Sequence, residues 1–62
     1  MKVSIRPKGR EQPTEMELPG DDEFKVAQQA VDRNDPGGDG KVTAGNWTYR
    51  YWFGTVQPPK HC

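Results

Sequence analysis

Seven residues, Trp47-Thr48-Tyr49-Arg50-Tyr51-Trp52-Phe53, constrain this chain more than any other feature. Rings recur at every second position, the period of a β-strand, so the segment predicts a strand with Trp47, Tyr49, Tyr51 and Phe53 on one face. The chain has few other sources of a core. It is 62 residues long and holds only nine Leu, Ile, Val or Phe. Aromatic side chains bury large areas and suit a pleated, half-buried surface, so this strand supplies the area that missing aliphatics would. Disorder needs low hydrophobicity together with high net charge, and here nine bases balance nine acids. A chain of this size makes one domain, expected over 1–57 with a flexible tail over 58–62.

The other elements follow from the same periods. Lys2-Val3-Ser4-Ile5-Arg6 and Thr14-Glu15-Met16-Glu17-Leu18 alternate polar and apolar around a loop punctuated by Pro7, Gly9 and Pro13. That pattern predicts a β-hairpin. Asp21-Asp22-Glu23 opens a helix, because acids complement the positive end of the helix dipole and Asp21 or Asp22 can cap it. Phe24, Ala27 and Val31, widened by Val26 and Ala30, lie along one helical face. The helix should end near Arg33, since the Pro- and Gly-rich run 34–40 cannot continue it. Lys41-Val42-Thr43 can pair with the aromatic strand around Ala44-Gly45-Asn46, and Thr55-Val56 can extend it. The expected fold class is α+β: a small single-layer antiparallel sheet, strand-strand-helix-strand with a final hairpin as an option, and one helix packed on one face.

Zero net charge conceals opposed blocks. Residues 1–10 carry four bases and no acid, and residues 11–23 carry six acids and no base. In a hairpin, Lys2 and Arg6 would face Glu15 and Glu17, and opposite charges across strands contribute a few tenths of a kcal/mol per pair. A uniformly basic nucleic-acid binder is not indicated. No apolar run marks a membrane span or a signal peptide. A single cysteine, Cys62, fits a reducing compartment, so the expected location is cytoplasmic.

Catalysis finds no constellation to rest on. His61 is the single histidine, in the expected tail, and Ser4 is the single serine, in a strand. The acids are accounted for by a strand edge and a helix cap, and so short a chain has little room for a closed pocket. The reading is non-enzymatic, and no cofactor is implied.

Val31-Asp32-Arg33-Asn34 and the run Asp39-Gly40-Lys41-Val42-Thr43-Ala44-Gly45-Asn46 together resemble an EF-hand or dockerin loop. The resemblance would make Asp32, Asn34, Asp39 and Thr43 calcium ligands, with Gly40 as the obligatory turn glycine. The chain departs from that pattern twice. Asp35-Pro36-Gly37 is inserted within the loop, and Asn46 stands where a bidentate acid belongs. Asp-Gly and Gly-Gly are also ordinary turn chemistry, so a loop without an ion is the reading adopted.

The aromatic strand also resembles the Trp-x-Tyr-Arg-Tyr strand of the arm-binding domains of phage-type integrases. Rings interleaved with a base are a stacking platform, so a nucleic-acid-binding module using 46–53 and the bases Lys2, Arg6, Lys8 and Arg10 is one expected function. Arg50 and Trp52 fall on the face opposite the other rings, and Trp and Arg are enriched at binding hot spots. Length and element order resemble small bacteriophage proteins that bind and inhibit host factors, such as the T7-type inhibitors of host RNA polymerase. That resemblance implies a protein-binding regulator that docks onto a larger host protein. Arg50, Trp52, Glu15 and Glu17 are its expected contact residues. A bare sheet and a thin core also leave a homodimer open beside a monomer.

Overall fold

The two alternating N-terminal runs form antiparallel strands whose register is set by the buried Val3 and Ile5. A computed structural model of the protein describes residues 1–58. The elements are β1 (Lys2–Pro7), β2 (Thr14–Glu17), α1 (Glu23–Asn34), β3 (Gly40–Ala44), β4 (Trp47–Trp52) and β5 (Thr55–Val56). The fold is α+β, with one antiparallel five-stranded sheet in the order β2-β1-β3-β4-β5 and a single helix. β1 is interior, paired with β2 on one side and β3 on the other. The tail expected over 58–62, with His61 and Cys62, falls on residues 59–62 outside those described, apart from Pro58.

The helix begins where the acids predict. Asp22 is its N-cap, accepting from the Lys25 amide at 3.3 Å. Val26, Ala27, Ala30 and Val31 are buried against the sheet, joined there by Val3, Ile5, Val42, Ala44, Tyr49 and Tyr51. Phe24 packs edge-on to Tyr49, ring centroids 5.5 Å apart. Small residues on the helix let it lie close to the sheet, so a thin set of side chains closes the core. At the far end of α1 the Tyr51 hydroxyl donates to Asp35 at 2.8 Å.

The four-ring face is corrected. Only Tyr49 and Tyr51 are buried, while Trp47, at the first position of β4, is 51% exposed. Phe53 is not in the strand at all. β4 pairs with β5 through Trp52↔Thr55, so Phe53 and Gly54 form a two-residue turn. Their φ angles are 54° and 72°, both left-handed, as a type I′ hairpin turn requires. A Cβ on Gly54 would collide with the Gly37 backbone, so only glycine fits that second position.

Charge pairing across the hairpin is also corrected. Lys2 does sit opposite Glu17, but Glu15 faces Ser4. β2 stops at Thr14, opposite Ile5, so Arg6 runs past it and instead lies opposite Lys41 of β3. Among the described residues, the ion pair within 4.0 Å is that of the Met1 amino group with Glu17, at 3.5 Å.

Candidate functional site

Among the described residues, one sheet face is covered by α1 and the other is bare. Alternation fixes which side chains the bare face presents: Lys2, Ser4 and Arg6 from β1, Lys41 and Thr43 from β3, and Thr48, Arg50 and Trp52 from β4. Register then sorts them into rows. Ser4, Thr43 and Thr48 form a neutral row, in which the two threonine hydroxyls meet at 3.0 Å. Next to it, Arg6 lies opposite Lys41 and Lys41 opposite Arg50. Three cations therefore stand side by side on three adjacent strands, with Cβ atoms about 5 Å apart at each step. Like charges directly opposite destabilise a sheet, and nothing in the fold requires this row.

The row floors a cleft of about 570 Å³. Its wall is the β1–β2 loop, which adds Lys8 and Arg10, and its other side is Trp52. Five of the chain's nine Lys and Arg thus gather at one depression. Asp39 is the acid among the described lining residues, and one of its oxygens accepts from the Phe53 backbone N–H at 3.2 Å. Among the described residues none of the five cations has a carboxylate within 4.0 Å. Trp52 is 45% exposed, so its ring is available at the edge of this positive ground.

The expected contact residues separate into two groups. Arg50 and Trp52 share the cleft with Arg6 and Lys41. Glu15 and Glu17 lie on the same bare face but on β2, three strand steps from β4, or about 14 Å. They do not line the cleft. Of the bases named with the nucleic-acid reading, Arg6, Lys8 and Arg10 line it, whereas Lys2 sits further along β1 opposite Glu17.

The calcium-ligand set is not brought together. Asp32 is on the helix, accepting from Gln28 at 3.0 Å, and Asn34 donates to the Ala30 carbonyl at 2.8 Å. Asp39 serves the β4–β5 turn through the Phe53 amide, and Thr43 points from the bare face, away from α1. The helix continuing through Asn34 is the physical reason, because it holds residues 32–34 above one sheet face while Thr43 occupies the other. Among the described residues no three His, Cys, Asp or Glu gather as a metal site.

Gln28 is the residue that sequence reasoning missed. Its amide nitrogen donates to the Gly54 carbonyl at 2.9 Å and its oxygen accepts from the Val56 amide at 2.8 Å. One side chain on the helix thus pins the β4–β5 turn, which holds Phe53 beside Trp52. A glutamine on a helix flank carries no local signal of a partner 26 and 28 residues away. The row Arg6–Lys41–Arg50 was missed for a related reason. It exists only once β1 is known to lie between β2 and β3. No helix of the described residues is long and apolar enough to cross a membrane. No protein-family model, curated protein or solved structure matches the chain.

Proposed function

We propose that the protein is a non-enzymatic binding module whose bare sheet face takes a single-stranded nucleic acid. The observation that carries this reading is the row Arg6–Lys41–Arg50, which has no carboxylate within 4.0 Å among the described residues and is walled by Lys8, Arg10 and Trp52. Concentrated cations without internal partners are kept against their mutual repulsion, and a phosphate backbone relieves it. An exposed indole at the edge gives a base a surface to stack on, which distinguishes a single strand from a duplex. In this arrangement Arg6, Lys41 and Arg50 contact phosphates, Lys8 and Arg10 enclose the strand, and Trp52 stacks.

Titrating a labelled oligonucleotide against the protein at several salt concentrations tests this. Three phosphate contacts give a log–log slope near −2, a loss of roughly 20-fold between 50 and 200 mM salt. Arg50→Ala should make the slope shallower by about 0.7. Trp52→Ala should leave the slope alone and weaken binding by about 1–3 kcal/mol. Binding that ignores salt, or survives both substitutions, removes the proposal.

A second reading rests on Glu15 and Glu17 at the far edge of the same face. A face that is acidic at one side and basic with Trp52 at the other suits a larger protein with the opposite arrangement. Glu15→Lys with Glu17→Lys separates the two. It strengthens nucleic-acid binding and abolishes protein docking.

A further inference from the structure

Phe53 is the most exposed large apolar side chain among the described residues, at 82%, and it sits in a backbone conformation that suits it badly. With φ at 54°, it occupies the first central position of the type I′ turn, where asparagine, aspartate or glycine is the ordinary choice. For a bulky residue a positive φ is a strained outlier. Strain of this kind persists where surrounding structure over-determines it, and here the determinants are visible. Asp39 holds the Phe53 amide at 3.2 Å, and Gln28 holds the Gly54 carbonyl at 2.9 Å and the Val56 amide at 2.8 Å. The turn is thus locked from both sides, yet the side chain it presents buries little against the described residues. A phenyl ring at this position adds little buried area among the described residues.

We infer that Phe53 is a ligand-contacting residue, a second stacking ring that continues the Trp52 platform along a single-stranded nucleic acid. This rests on the cleft reading given above. Phe53 does not itself line the cationic cleft, but two observations set it at the border of that site. It follows Trp52 directly, and its backbone is tethered to Asp39, a residue lining the cationic cleft. Trp52 and Phe53 are adjacent in the chain but in different elements, one closing β4 and the other starting the turn. Successive bases of one strand would meet successive rings, while the phosphates follow Arg50, Lys41 and Arg6. An aromatic side chain is sequence-tolerant in this role because every base has a π-face. The occupant is a single strand, because Phe53 borders a cationic cleft and stacking requires bases that are not already stacked.

The test compares wild type with Phe53→Asn and Phe53→Tyr, using two probes of equal length: a short labelled oligo(dT) and its abasic counterpart, which keeps the phosphates and lacks the bases. Asparagine fits the left-handed turn, so Phe53→Asn should raise Tm by a few degrees. The same variant should bind oligo(dT) at least fivefold more weakly, with an unchanged salt slope and unchanged binding of the abasic strand. Phe53→Tyr keeps the ring and should keep the wild-type affinity. If Phe53→Asn binds oligo(dT) as tightly as wild type, the inference is overturned and the cationic cleft stands. Should wild type bind neither probe, the cleft reading falls and the inference with it. A lower Tm for Phe53→Asn overturns the strain argument. Self-association that Phe53→Asn abolishes, or tight binding of poly-glutamate that it weakens, assigns the ring to a protein contact and also overturns the inference.

Discussion

Tyr49 and Tyr51 are both buried, and both phenols are pushed above the usual value of 10.0. Burial is the larger cause in each case. At Tyr51 the hydrogen bond to Asp35 and the charges of Asp35 and Asp39 add to it, and at Tyr49 Glu23 and Asp22 do. A folded-state pKa above the unfolded one means that the native protein holds its phenolic protons more tightly. The contribution is therefore fully present below pH 10 and declines as the pH rises past it toward the folded values. Tm should be insensitive to these two groups in neutral solution and fall through the alkaline range, with the Tyr51 tyrosinate absorbance appearing together with unfolding. Tyr51→Phe should cost about 0.5–1.5 kcal/mol at neutral pH, the worth of one hydrogen bond, and make the alkaline decline shallower. Absorbance of two tyrosinates appearing well before unfolding would contradict this account. At this scale the sequence was half legible. The burial of Tyr49 and Tyr51 follows from alternation, but the exposure of Phe53 does not, because two residues of turn end the alternation without any glycine before position 54.

Elements were easier to read than their arrangement. Strands, helix and caps are written locally, in periods of two and 3.6 and in the acids before residue 24, and they appear nearly where those patterns put them. Register and strand order depend on side chains far apart in sequence. Arg6 looks like a partner for an acid of β2 until β2 is seen to stop one pair short of it. Gln28 illustrates the same limit between a helix and a hairpin. Gln28→Ala removes the partners of the Val56 amide and the Gly54 carbonyl, and Val56 is buried. The expected loss is about 1–3 kcal/mol. Each kcal/mol corresponds to roughly 4–8 °C in a domain of this size. Amide hydrogen exchange at Val56 should accelerate more than at Val42 in the sheet interior, and equal protection at both sites would show that the clamp is not what secures β5.

Across the whole molecule, neutrality is an average over opposed regions. Five cations and one acid line the cleft, so the remaining described surface is markedly acidic. Such a molecule approaches a polyanion cleft-first. It should be retained on a heparin column at low salt although its formal net charge is zero. The triple variant Arg6→Gln, Lys41→Gln, Arg50→Gln should flow through. It should also melt higher, by up to about 1 kcal/mol of relieved cross-strand repulsion. A lower Tm would mean that the row supports the sheet, and the functional argument from it would lose its basis. The interior place of β1 reaches further still, into how the chain is made. At 5–20 residues per second, the 32 residues between Pro7 and Gly40 take about 2–6 s to be translated. Through that interval β1 has β2 alone as a partner, and a lone hairpin in water is marginal. The sheet therefore cannot assemble in the order of synthesis. It waits for the second half of the chain and closes around a strand that was finished seconds earlier.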